Sequence, residues 1–264
     1  MSKVCIITGG TSGIGLATAR AMHDAGYRVY ELSRREAGTD CAVHIQADVT
    51  KEDTLRAAVD FVLAQEDHID VVINNAGFGI SGAIEFTDTQ EAQRLFDTLF
   101  FGMVRMNRCV IPLMRQQGHG RIVNISSVAA PVPIPFQAYY SAGKAAINAY
   151  TMALANELRP FGVTVCAVMP GDIKTGFTAA RHKIIDGDDI YQGRIGRSVQ
   201  RMEHDEQTGM DPAKVGRYIA AVASREGSHH PLYATRIDYK FFVFLTKVLP
   251  ARFLNWLIYQ LYGK

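Results

Sequence analysis

Thr8-Gly9-Gly10-Thr11-Ser12-Gly13-Ile14-Gly15 closes the apolar, β-branched run Val4–Thr8 and opens a helical pattern over Ile14–Ala25. A glycine cluster at a strand-to-helix turn lets backbone approach a pyrophosphate. The helix N-terminus then supplies N–H donors and a positive dipole end. No Gly-Lys-Ser/Thr follows, so the turn is not a Walker loop. It is not G-x-G-x-x-G either, because Thr18 stands where the third glycine would fall. The alternative, a merely tight turn, has to be weighed against what lies further along the chain.

Outward from that turn, short apolar runs alternate with longer helical patterns. The predicted strands are Val4–Thr8, Arg28–Ser33, Val43–Asp48, Asp70–Asn74, Arg121–Ser126 and Val163–Met169. The predicted helices are Ile14–Ala25, Asp53–Gln65, Thr89–Gln117 and Ser141–Leu158, with another started by Asp211-Pro212 as N-cap and first helical residue. Such alternation predicts an α/β fold: a Rossmann-type, doubly wound parallel sheet with helices on both faces. No repeat or Pro/Ser-rich linker divides residues 1–264, which read as a single domain. Residues 172–210 are polar and glycine-spotted and read as a substrate lid. Residues 239–264 read as an apolar C-terminal extension.

Composition excludes several classes. Apolar residues at 48% and charged residues at 20% suit a soluble globular chain rather than a disordered one. A formal net charge of +2 predicts no nucleic-acid partner. Cys5, Cys41, Cys109 and Cys166 form no C-x-x-C pair, so reduced thiols in a cytoplasmic protein with no metal site are expected. Neither a secretory leader nor a membrane-spanning stretch is read.

Tyr140 and Lys144 stand four apart in a helical pattern, so their side chains are predicted neighbours on one face. An ammonium beside a phenol favours phenolate and makes the pair a credible acid/base device. The spacing alone is weak. Eleven tyrosines and nine lysines in 264 positions give roughly 0.4 such pairs by chance.

Gly-x-x-x-Gly-x-Gly after the first strand, Asn74-Asn75-Ala76-Gly77 after Val71-Val72-Ile73, and Pro170-Gly171 after Val163–Met169 occur together in one order. In this the chain resembles the short-chain dehydrogenase/reductase family, over roughly residues 3 to 176. The tail around Val248–Leu254 is similar to its steroid- and retinol-dehydrogenase-like branch. The resemblance implies a catalytic Ser127 that hydrogen-bonds the substrate carbonyl, Tyr140 as proton donor or acceptor, and Lys144 on the nicotinamide ribose, lowering the tyrosine pKa. Ser126 and Tyr139 are adjacent decoys, since Gly143 rather than lysine follows Tyr139 by four. It further implies cofactor contacts from Gly9, Thr11, Ser12, Gly13, Ile14, Gly15, Asp48, Val49, Asn75, Ala76, Gly77, Pro170, Gly171, Ile173 and Thr175, besides Tyr140 and Lys144. One position departs from the family. Its helical asparagine, three residues before a glycine, would carry a relay water, but here Leu99 precedes Gly102. Asn107 lies about 12 Å further along a helix, too far to replace it.

Cofactor choice is read at the end of the second strand, Tyr30-Glu31-Leu32-Ser33-Arg34-Arg35. Arginine suits a 2′-phosphate, so Ser33 and Arg34 point to NADP(H). Acceptance of NAD(H) stays open, with Glu31 the acidic residue if the register shifts. Ala129, Pro131, Val132, Pro133, Ile134, Phe136 and Phe177 are apolar and flank the predicted site, which suggests a hydrophobic ketone or aldehyde and its alcohol. For any one of them, plain core packing is the commoner role. The basic, aromatic tail fits a bilayer interface as well as packing over the cleft or against another subunit, and the packing readings rank first. A homodimer or homotetramer is the family expectation. The reading is therefore an NADP(H)-dependent carbonyl reductase/alcohol dehydrogenase. A non-catalytic NADP(H)-sensing protein is the alternative that Leu99 would favour.

Overall fold

The computed structural model describes residues 2–227 and 230–264. In chain order the elements are β1 (Val4–Thr8), α1 (Gly13–Asp24), β2 (Arg28–Ser33), β3 (Val43–Gln46), α2 (Glu52–Glu66), β4 (Val71–Asn74), β5 (Ile80–Ser81), α3 (Thr89–Phe96), α4 (Gly102–Gln117), β6 (Gly120–Ile125), α5 (Ala138–Leu158) and β7 (Val163–Met169). There follow α6 (Phe177–Ala180), β8 (His182–Lys183), α7 (Arg194–Gln207), α8 (Pro212–Ala223), β9 (Leu232–Ala234), α9 (Ile237–Val248) and α10 (Ala251–Ile258). Seven parallel strands form the central sheet in the order β3-β2-β1-β4-β6-β7-β9. The chain's direction across the sheet reverses between β1 and β4. In open α/β sheets the crevice beyond the strand ends at such a reversal is where ligands bind.

Alternation along the strands divides the core. Cys5 and Ile7 of β1 join Ala19 and Met22 of α1 and Val215 and Ile219 of α8 on one face. Val4 and Ile6 turn the other way, onto Leu55 and Val59 of α2, Met106, Val110 and Met114 of α4, and Leu154 of α5. Met106, Val110 and Met114 recur every four residues and none is solvent-exposed. Each such burial contributes about 1.5–3 kcal/mol. Strands covered on both sides read as continuous apolar runs, and for that reason β1, VCIIT, is buried throughout.

Three expectations change. The predicted helix Thr89–Gln117 is α3 and α4 joined through a π-helical segment, Asp97–Phe101, that carries Leu99. Residues 172–210 are not without periodicity. Ile195, Val199 and Met202 of α7, at steps of four and three, are buried against Ala83 with Phe86, Ile134 and Phe136 packed on them. Two-residue strands β5 and β8 also pair in parallel as a separate two-stranded sheet, fastening this region to the segment that follows β4. The short strand β9, which extends the sheet beyond β7, was not predicted.

Candidate active site

The glycine turn is tight for a steric reason. A Cβ on Gly15 would lie 2.1 Å from the Gly9 carbonyl oxygen and 2.5 Å from Asn75 Nδ2. Gly9 and Gly13 have φ of +69° and +54°, which L side chains rarely adopt. Asn75 braces the turn, donating from Nδ2 to the carbonyls of Thr8 and Gly9 at 3.1 Å each. The Thr8 hydroxyl in turn accepts from the Asn75 and Ala76 N–H groups. Thr175 comes within 3.6 Å of a Cβ placed on Gly13, so the far loop does meet the turn. The Ile173 side chain is buried in the α1/α8 core cluster, and its backbone bridges Met210.

On the second-strand side, Ser33 ends β2 with a buried hydroxyl that has no partner. Arg35 reaches back to the Thr11 carbonyl at 3.1 Å. Glu31 is fully buried, facing Gly10 and bonded to His44, so it is turned away from the strand tip. Asp48 accepts from the backbone N–H and the hydroxyl of Thr50. Burial opposes its charge, but those bonds and the nearby Arg34 and Lys51 hold the carboxyl below its usual range. Glycines that no side chain could replace, the orphaned hydroxyl and the basic pair after it together fit an adenosine dinucleotide with its pyrophosphate at the N-terminus of α1.

The proton-transfer candidates converge at the carboxyl edge of β6. Ser127 follows that strand; its hydroxyl accepts from the Ala129 N–H at 3.1 Å and faces the Tyr140 phenol closely enough to favour its charged form. Lys144, one turn beyond Tyr140 on α5, is 5% exposed. Its Nζ sits 5.6 Å from the Tyr140 ring centroid and donates to the Ile125 carbonyl at 2.7 Å. The decoys are turned elsewhere. Ser126 donates to the Lys144 carbonyl, and Tyr139 reaches the Ile84 carbonyl at 3.5 Å.

Electrostatics here correct one expectation. Burial pushes Tyr140 up to about 12, the Ser127 hydroxyl only partly opposing it. Burial also pushes Lys144 down to about 7. Burial therefore disfavours the charged form of each partner, phenolate for Tyr140 and ammonium for Lys144, and Lys144 is not among the groups that shift the phenol most.

Leu99 is 3% exposed. Its side chain lies between Gly77 and Gly143, a Cβ on Gly77 falling 2.4 Å from it. Tyr140 packs on the same small cluster. Asn107 is engaged elsewhere, accepting from Asn74 at 2.8 Å, and Asn74 also donates to Asn124.

Over the site lies Phe177, its ring centroid 5.8 Å from that of Tyr140. Behind it Arg181 is fully buried and paired with Glu206, which also accepts from Thr178 at 2.5 Å. Tyr239 covers Gly171, where a Cβ would meet its ring at 2.0 Å, and bonds Asp172 at 3.0 Å. Burial raises the Asp172 carboxyl. None of Arg181, Glu206 or Tyr239 was predicted. Their partners lie far away in sequence, and no spacing rule connects them.

A parallel sheet with a glycine cradle at its reversal and a serine, tyrosine and lysine at the next strand edge defines a dinucleotide-dependent oxidoreductase architecture. A family model described as short chain dehydrogenase matches residues 3–184, and the chain belongs to that family. A 3-ketodihydrosphingosine reductase of Bacteroides thetaiotaomicron is 36% identical over 258 residues, covering 97% of this chain and 93% of its own length. The crystal structure of a short-chain dehydrogenase from Streptomyces avermitilis superposes with a TM-score of 0.81 at 32% identity, covering 92% of this chain and 91% of that one. A 3-ketoacyl-(acyl-carrier-protein) reductase from Brucella melitensis, complexed with NADH, gives a TM-score of 0.74 at 27% identity over 88% of this chain and 96% of that one.

Proposed function

We propose that this chain reduces a ketone on a long, hydrophobic, lipid-like substrate at the expense of NADPH. The observation that carries the reading is the meeting of Ser127, Tyr140 and Lys144 beside the glycine cradle. A bound NADPH would supply the hydride. Ser127 would hold the carbonyl oxygen, and Tyr140, neutral across the physiological range, would give that oxygen its proton. Lys144 would bind the nicotinamide ribose from its place between Tyr140 and Ile125. A protonated phenol suits the reducing direction, in which the proton must be delivered.

Ser33 with its unpartnered hydroxyl, and Arg34 next to it, support a 2′-phosphate. Glu31, bonded to His44 through Oε1, is fully buried beneath the turn, with its Oε2 unpartnered against Gly10. A lipid ketone is supported by the full-length relationship to a 3-ketodihydrosphingosine reductase and by Phe177 over the tyrosine. Assembly through α4 and α5 is supported by the exposed apolar Phe101, immediately before α4, and Met152 of α5. Leu99 supports a second reading, a nicotinamide-sensing protein without turnover.

Initial rates with long-chain ketones, steroids, retinoids and small aldehydes, each with NADPH and NADH, test substrate and cofactor together. Activity confined to small polar aldehydes, or NADH matching NADPH, would overturn them. Tyr140→Phe is expected to lower turnover about 10³-fold while NADPH binding stays within a few-fold. A wild type that binds NADPH and reduces none of these substrates would favour the sensor.

A further inference from the structure

Helix α9 is turned inside out. Every other α-helix of the fold buries at least one residue, and α9 buries none. Ile237, Phe241, Phe244 and Val248 recur at steps of four, three and four, the stripe that normally faces a core. Here they are 82%, 59%, 55% and 56% exposed. After Pro250, α10 continues the surface with Phe253 and Trp256, their ring centroids 5.9 Å apart and both about half exposed. Apolar area of this extent on one surface marks an interaction site rather than scattered exposure.

The charges on this surface identify the occupant. From Tyr239 to Lys264 the chain has Lys240, Lys247, Arg252 and Lys264 and no Asp or Glu, although the whole protein has a formal charge of only +2. Lys240 and Lys247, four residues before and three after Phe244, flank that apolar stripe along one side. Among the described residues neither they nor Arg252 has a carboxylate partner. A second copy pressed against this face would oppose these cations with the same cations, and the one acid of α9, Asp238, is already paired with Arg236. A phospholipid surface complements both features, with acyl chains for the aromatic stripe and phosphates for the lysines. Neither helix is long and apolar enough to cross a bilayer, so the helices would lie in its plane.

We infer that α9 and α10 form a docking face for an anionic lipid bilayer. The face begins beside the site, because Tyr239 in the first turn of α9 packs on Gly171 and bonds Asp172. The docking does not depend on the lipid-ketone reading, and its test needs no turnover.

Trp256 is the only tryptophan in the chain, which makes it a reporter of its own surface. The full-length protein is mixed with phosphatidylcholine vesicles, with or without phosphatidylglycerol. The expected result is a blue shift of Trp256 emission and co-sedimentation with the anionic vesicles, weakened by salt. Phe241→Glu with Phe244→Glu is expected to reduce partitioning at least tenfold, with far-UV circular dichroism and NADPH binding unchanged. Lys240→Glu with Lys247→Glu is expected to remove the preference for phosphatidylglycerol. Wild-type protein that ignores both vesicle types would overturn the inference, as would a double-phenylalanine variant that sediments like wild type. Light scattering covers the competing occupant. If the double-phenylalanine variant halves the particle mass while no form binds vesicles, the face belongs to a second copy and the inference falls.

Discussion

The nucleotide end and the substrate end of this molecule satisfy their side chains in opposite ways. Around the glycine turn, Asn75 and Thr8 close four hydrogen bonds onto backbone, and the apolar residues of β1 and α1 are inside. Beyond Met169 the pattern inverts. A charged pair, Arg181 with Glu206, is inside, and phenylalanines stand on the surface of α9. A cradle for one constant ligand can be completed by the chain itself. The elements after Met169 leave apolar surface that the chain itself does not cover.

The most severe way to break the first half of that contrast is Gly15→Ala. The added methyl has no room against the Gly9 carbonyl, so a loss of at least 100-fold in dinucleotide affinity is expected, measured by fluorescence titration. Retained affinity would mean that the turn is not the pyrophosphate site.

Lys144→Met tests the border between the two halves. The folded pKa of about 7 lies below the unfolded value of 10.5, so the unfolded chain binds more protons between those limits. Wild-type stability should rise with pH across that window and level off above it. At pH 6 the buried ammonium costs the most. The methionine variant is expected to be more stable there, by about 5 kcal/mol if the whole shift is expressed, less the lost Ile125 bond, with the gap closing towards pH 10 in denaturant titrations. A gap independent of pH would show that Lys144 is not desolvated.

Arg34→Ala sharpens the reading of the cradle's outer rim. NADPH efficiency should fall about tenfold, with NADH little changed, as kcat/KM for each would report. Phe244→Ser is the mildest probe and addresses the other half. A side chain 55% exposed should shift stability by no more than about 0.5 kcal/mol in urea, whereas a core phenylalanine would lose several.

The same division explains what could be read from the chain alone. Strands β1, β2 and β7 agree with their predicted bounds because β-branched runs bracketed by turn residues are local signals. Tyr140 and Lys144 could be paired because one helical turn separates them, whereas Ser127 was supplied by the family resemblance and not by any spacing rule. α7 left a legible stripe at Ile195, Val199 and Met202, masked by its many charges. The three-residue β9 is too short to have a period. The direction of the Tyr140 shift was not legible, since it depends on Phe177 and the sheet enclosing the phenol. Arg181 with Glu206, and Tyr239 over Gly171, are tertiary contacts with no spacing rule behind them.

Tyr239 on Gly171 has a consequence for how this chain can vary. The ring occupies the volume that any side chain at 171 would need, so each position sets the size allowed at the other. A side chain at 171 has room only if the ring at 239 moves or shrinks, so the loop after β7 and the first turn of α9 are sterically coupled although far apart in sequence.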